Sequence, residues 1–174
     1  TKILAEDVLN TYKSNGLRVA ILRPSSLYGY GARIPNIVQN FLNSAQKDTV
    51  LNIYEPIADS IDFLHAIDLC SAVLRVLKTE CWNTFNISSG KQTTIGELAE
   101  ACVKIAGRGK VKILKEKSEK YYRKNVRTYA LDNHMAQSKL GWAPKIDIKR
   151  GLELLYLETT EYPKNSSVKI EMGQ

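Results

Sequence analysis

The sequence is short of the residues that staple, export or metallate small proteins. Three cysteines in 174 residues, Cys70, Cys81 and Cys102, are an odd number with no metal-ligand spacing, which argues against a closed disulfide framework. Cys70 and Cys102 fall in apolar helical patterns and are expected to be small buried hydrophobes. Only two histidines occur, His65 and His134, and no cysteine or carboxylate completes a triad or metal set around either. Both read as hydrogen-bonded structural residues, and no metal is expected. No apolar run approaches the roughly 20 residues needed to cross a bilayer. The N-terminus shows no basic patch followed by an apolar core. A cytoplasmic protein without a membrane partner is the resulting expectation. Internal repeats, heptads and low-complexity tracts are also lacking.

What is present is a hydrophobic content of 44%, enough for one ordinary domain with its own core. The net charge is +7, and it has an address. Between Lys104 and Arg127 ten basic residues face only Glu116 and Glu119, so this segment holds the whole excess. Such a segment serves as a solvated surface, as a counter-charge for a diphosphate-bearing ligand, or as a nucleic-acid contact with Tyr121 and Tyr122 as stacking groups.

Periodicity gives the elements. Leu4, Ala5, Val8, Leu9 and Tyr12 recur at one-face spacing and predict a helix over residues 2–14, stopped by Asn15-Gly16. Leu17 to Leu22 is a nearly continuous β-favouring run before Arg23-Pro24, as expected of a strand buried on both faces of a parallel sheet. Pro35 can open a helix with Ile37, Val38, Phe41, Leu42 and Ala45 inward. Short strands are expected at 50–54, 61–65 and 84–87. Asp68 is read as the cap of the following helix. Thr94 and Glu97 form a capping box for a helix carrying Leu98, Ala99, Cys102 and Ala106. A strand at 127–131, a short helix from Asp132 and a last helix at about 148–159 complete the pattern, with a polar tail from Glu161 on. Alternating helices and strands predict the α/β class.

A complete doubly wound dinucleotide domain opens with a strand, a Gly-rich turn and a helix whose N-terminus receives the pyrophosphate. No G-x-G-x-x-G occurs here. Five stretches nevertheless resemble one enzyme family in order and spacing. They are Thr1-Lys2-Ile3-Leu4-Ala5-Glu6, then Ile21-Leu22-Arg23-Pro24 with Tyr28-Gly29, then Asp62-Phe63-Leu64-His65 with Asp68. Asn86-Ile87-Ser88-Ser89-Gly90 with Thr94, Glu97, Leu98 and Ala99 follows, and Leu140-Gly141-Trp142-Ala143-Pro144 with Gly151-Leu152 closes the series. Over residues 1 to about 155 the chain resembles the C-terminal half of the NAD-dependent epimerase/dehydratases, the extended short-chain dehydrogenase/reductases that act on nucleotide sugars.

The resemblance implies the C-terminal part of a doubly wound Rossmann-like fold plus a small α/β substrate-binding subdomain. Residues 1–32 and 66–92 would belong to the dinucleotide domain and 33–65 and 93–160 to the subdomain. In such enzymes a hydride passes from a sugar carbon to NAD or NADP while a tyrosine phenolate takes the hydroxyl proton. Lys2 matches the lysine that lowers the phenol's pKa and holds the nicotinamide ribose. The tyrosine itself is expected four positions before Lys2, outside the sequence. Pro24 and Ser25 would line the nicotinamide, and Ser26 the sugar, at a position where many members carry Asn. Asn36, at a helix start suited to a diphosphate, and Asn52 and Tyr54, on a strand beside the base, are further substrate candidates.

One departure bears on the substrate. The family often places Arg before the Asp-Phe of the 61–65 hairpin to grip the diphosphate, and here that residue is Ile61. Isoleucine cannot imitate the forked, always-charged guanidinium, so Arg123 and Arg127 become the candidate cations. Three functions follow. The chain is the substrate-binding portion of a nucleotide-sugar epimerase or dehydratase, inactive without an N-terminal half; or a stand-alone binding module derived from that family; or, least favoured, a small nucleic-acid binder. The first expects a nucleotide-sugar substrate, a partner half and a homo-oligomer.

Overall fold

A computed structural model describes residues 1–32, 35–115 and 128–161. Their order is α1 (Lys2–Ser14), β1 (Ile21–Pro24), β2 (Ser26–Tyr28), α2 (Ile37–Gln46), β3 (Val50–Tyr54), β4 (Ser60–Ile61), β5 (Phe63–His65) and α3 (Ala66–Thr79). β6 (Thr84–Ile87), β7 (Thr93–Thr94), α4 (Ile95–Ala106), β8 (Lys110–Leu114), α5 (His134–Leu140) and α6 (Ile148–Glu161) follow. The chain is α/β. Three pairs, β1–β6, β2–β5 and β3–β8, are parallel, and β4–β7 is antiparallel.

Local chemistry accounts for most boundaries. Thr94 accepts from the Glu97 amide while the Glu97 carboxylate accepts from the Thr94 amide, the anticipated capping box of α4. That helix ends at Gly107 in the left-handed conformation, where a side chain would be strained. Asn36 caps α2 with Gln39 as reciprocal partner, so Pro35 lies outside that helix. His65, not Asp68, caps α3, through Nδ1 accepting from the Ile67 amide at 3.3 Å. Asp68 instead reaches forward, accepting from the amides of Lys145 and Ile146 at 3.0 and 2.9 Å and so fixing the approach to α6. The short helix begins at His134, with the Asp132 carboxylate accepting from its amide.

The first strand also differs from its expected place. β1 runs over Ile21–Pro24, and its residues are half-buried or exposed rather than buried on both faces. A parallel strand forms where a ladder exists, and β6 supplies one only from Thr84, opposite Ile21. Of the expected strand at 127–131, only a bridge between Thr128 and Ser60 is present among the described residues. Cys70 is exposed, whereas Cys102 is buried as expected, and its thiol is pushed up to about 12 by that burial.

Apolar burial is organised in two clusters. One gathers Val38, Leu42 and Ala45 of α2, Leu51 and Ile53 of β3, Leu98, Ala99 and Cys102 of α4, and Leu152 and Leu155 of α6, together with Tyr28 and Phe63. The other joins Leu64, Ala72 and Val76 to Phe85 and Ile87 of β6 and to Ala136, Leu140 and Trp142. Trp142 anchors the late segment as expected, its indole donating to Ser71 Oγ at 2.8 Å. Gly151 lets α6 pass over the Tyr28 ring, because a Cβ there would collide with the phenol. α1 contributes no buried residue: Ile3, Leu4, Val8 and Tyr12 are 76, 66, 56 and 56% exposed.

Candidate functional site

Parallel strands release their chain at their carboxyl ends, and crevices outside those ends are where α/β folds receive ligands. Here β1 ends at Pro24 and β6 at Ile87, and their following loops meet. The Ser25 amide donates to the Ile87 carbonyl and the Ser26 amide to the Asp62 carbonyl, both at 3.0 Å. From the far side the segment 129–133 closes on the same place. Ser88 Oγ donates to Leu131 O at 2.8 Å, Asn86 Nδ2 to Asp132 O at 3.1 Å, and Asn133 Nδ2 to Ser88 O at 2.8 Å.

Within this junction Ser25 is buried and donates its hydroxyl to Asp62 Oδ1 at 3.1 Å. Its lone pairs are left as acceptors. Ser26 shares a hydrogen bond with the Tyr129 hydroxyl at 2.9 Å. The serine that stands where the family often has Asn therefore carries a phenol beside it, and the pair presents two adjustable hydroxyls. Pro24 is exposed at the strand end.

Lys2 opens α1 and is exposed. One helical turn on, Glu6 accepts from Arg23 Nε at 3.0 and 3.1 Å and from its Nη2, tying α1 to the end of β1. Hydrogen bonding to Arg23 holds the Glu6 carboxyl below its ordinary value and raises the guanidinium in turn. Positions i and i+4 share a helix face. Lys2 thus lies on the face that Glu6 turns toward the carboxyl end of β1.

Asn36 accepts from the Gln39 amide at 3.1 Å and donates from Nδ2 to Leu27 O at 3.0 Å, so its side chain is committed to the cap and to the loop before it. In β3, Leu51 and Ile53 are buried while Asn52 and Tyr54 are exposed. The parallel register sets Asn52 beside Lys112 and Val50 beside Lys110, so the open face of this pair carries two lysines and Asn52 together with the exposed side chains of Val50 and Tyr54. Arg123 and Arg127 lie outside the described residues. Ile61 pairs with Thr93 and packs on the first core cluster.

Sequence reasoning missed Tyr129, Asp62 as more than a motif letter, and the strand carrying Lys112. A basic-apolar alternation over Lys110–Leu114 was the available signal for the last. A cavity of about 370 Å³ lies between the Ser89–Thr93 turn, α4 and the start of α6, and holds none of the expected site residues. Among the described residues no cluster of three or more His, Cys, Asp or Glu could hold a metal, and no helix is long and apolar enough to cross a membrane.

The family model for GDP-mannose 4,6 dehydratase matches residues 1–155. The chain belongs to that family. UDP-glucuronic acid decarboxylase 5 of Arabidopsis thaliana is 24% identical over 158 residues, 88% of this chain and 45% of that protein. The dTDP-4-dehydro-6-deoxyglucose reductase of Escherichia coli is 28% identical over 165 residues, covering 89% of this chain and 49% of the reductase. This family member therefore spans about half the length of the curated relatives it matches. Among solved structures, a UDP-glucose 4-epimerase of Thermotoga maritima, crystallised with UDP-glucose, superposes with a TM-score of 0.74 at 26% identity, over 92% of this chain and 52% of the epimerase. A UDP-N-acetylglucosamine 4-epimerase of Bacillus cereus gives 0.79 at 23% identity, over 91% and 52%, which speaks for the fold alone. The α/β fold is that of the Rossmann-type epimerases and dehydratases, and the relatives act on nucleotide sugars.

Proposed function

We propose that this chain forms the substrate-binding portion of an NAD(P)-dependent nucleotide-sugar dehydratase, epimerase or reductase, and that a doubly wound partner half completes the cofactor site. The observation that carries the reading is the convergence of Ser25, Ser26 and Tyr129 at the carboxyl ends of β1 and β6 in a chain of this family. The residues present fit one end of the cofactor only. Lys2, Pro24 and Ser25 would meet the nicotinamide and its ribose, while no Gly-rich turn for the pyrophosphate occurs in the sequence. The bound nicotinamide supplies hydride acceptance and donation. The chain's own residues hold the sugar through the Ser26–Tyr129 hydroxyls, the base beside Asn52 and Tyr54, and the diphosphate by the first-turn amides of α2 after Asn36.

With a half-buried isoleucine at position 61, packed against the first core cluster, the cation opposite the diphosphate has to come from elsewhere. Thr128 bridges Ser60, next to Ile61. The sequence position of Arg127 beside Thr128 favours it, with Arg123 as second candidate. Residues 1–32 with 66–92, and 33–65 with 93–160, are the two proposed parts. The exposed apolar face of α1 and the edge of β1 that no strand pairs among the described residues are where the partner half, and a second copy in a homo-oligomer, would pack.

Calorimetric titration with UDP-glucose and dTDP-glucose, beside a turnover assay with NAD, tests the proposal. Binding of a nucleotide sugar without NAD reduction is the expected result. Turnover by the chain alone, or affinity for oligonucleotides but not for nucleotide sugars, would overturn it.

A further inference from the structure

Asp62 is 0% exposed and is the single residue between β4 and β5. Its Oδ1 accepts from Ser25 Oγ at 3.1 Å, the Ser89 amide at 2.9 Å and Ser89 Oγ at 2.7 Å. Its Oδ2 accepts from the amides of Gly90 at 3.1 Å and Leu131 at 3.3 Å. Among the described residues no lysine or arginine pairs with it. A charge buried this deeply is expensive, and apolar packing of similar volume is often as stable. What apolar packing cannot do is dictate where five separate donors sit.

The donors belong to three loops: the one after β1, the one after β6, and the segment that returns beside residue 128. Each loop carries or adjoins a group of the site. Ser25 is itself a donor, Ser26 follows it and gives its amide to the Asp62 carbonyl, and Leu131 is two residues from Tyr129. We propose that Asp62 is the positioning residue of this site: its carboxylate sets the three loops so that Ser25, Ser26 and Tyr129 face one ligand. The proposal deepens the nucleotide-sugar reading above and, for its ligand readout, rests on it.

Asp68 supplies the internal contrast. It is almost as buried, at 2% exposed, and accepts two backbone amides, but those belong to Lys145 and Ile146, before α6, and not to the loops that carry Ser26 and Tyr129. Asp62→Asn keeps the shape, yet it turns an NH₂ toward backbone donors and leaves at least one of them without an acceptor.

The experiment compares wild type, Asp62→Asn, Ser89→Ala and Asp68→Asn in the full chain. It reads unfolding midpoints, amide resonances of Ser89, Gly90 and Leu131, the ring resonances of Tyr129, and affinity for UDP-glucose. Asp62→Asn should shift all three amides and the Tyr129 ring, and weaken UDP-glucose binding about tenfold or more. Ser89→Ala, which removes one donor and spares the carboxylate, should move the same signals less. Asp68→Asn should lower the unfolding midpoint and leave affinity and the Tyr129 ring unchanged. Should Asp62→Asn fail to fold, Ser89→Ala against Asp68→Asn decides. The proposal is overturned if Ser89→Ala leaves the Tyr129 ring and the affinity unmoved, or if Asp68→Asn weakens binding as much as the Asp62 and Ser89 variants do. If wild type itself does not bind UDP-glucose, the nucleotide-sugar reading has failed, and the resonances alone still test Asp62.

Discussion

The cluster around α2, β3, α4 and α6 and the side formed by α1 and β1 are built from similar sequence patterns and end in opposite states. Both present apolar residues at helical spacing. In α4, Leu98, Ala99 and Cys102 are fully buried; in α1, Leu4 is 66% exposed and no residue is buried. Periodicity thus reports which face of a helix is made for contact, while burial reports whether the contact is supplied within the chain. The first cluster is closed by its own helices. The α1 side has an apolar face and a strand, β1, paired on one edge by β6.

This difference predicts unequal responses to the same kind of substitution. Leu98→Ala should cost about 3 kcal/mol by urea denaturation, whereas Leu4→Ala should change stability by less than about 0.5 kcal/mol. Equal losses would mean that α1 is covered after all. Gly151→Ala tests the tightness of the closed cluster, since the new methyl meets the Tyr28 ring carbon Cζ at 2.7 Å. About 2 kcal/mol should be lost, and Tyr28→Phe in the same chain should recover part of it, a coupling that a double-mutant cycle measures.

A smaller effect is expected at the cap of α4. Thr94→Ala removes the acceptor for the Glu97 amide and should cost about 1 kcal/mol. The smallest concerns pH. His65 is 2% exposed, and burial holds its imidazole below the ordinary histidine pKa, against an opposing contribution from Asp68. Its Nδ1 accepts the Ile67 amide, so the neutral ring carries its proton on Nε2, which has no partner among the described residues. The unfolded chain binds the proton more readily, so this contribution is complete above pH 6.5 and declines as pH falls below it toward the lowered folded value. His65→Asn, which can keep the cap without titrating, should flatten stability between pH 5 and 7. An unchanged slope would assign the titration elsewhere.

Much of this architecture is legible in the sequence because it is local. Thr94 and Glu97 announce a helix start three residues apart, the Val50–Tyr54 alternation marks one face in and one face out, and Trp142 signals an anchor. Less legible is whatever depends on a distant partner. Whether residues 17–20 become strand is decided by where β6 begins, more than 60 positions away. Asp68 looks like a cap because of its place before an apolar run, yet its acceptors serve Lys145 and Ile146. Cys70 shares a helical pattern with buried neighbours but falls on the outward side. Of the candidate site, Ser25 and Ser26 came only with the family resemblance of the stretch around Arg23-Pro24. Tyr129 did not, because its meeting with Ser26 spans 103 positions and follows a segment with little periodic signal.

The central claim, that the loops at the carboxyl ends of β1 and β6 together with β3 receive a nucleotide sugar, is tested most directly by mapping amide shifts during a UDP-glucose titration. The account predicts that they concentrate at Ser26, the start of α2, Asn52, Tyr54 and Tyr129. Shifts confined to the cavity between Lys91 and Ile148, or none at saturating ligand, would contradict it.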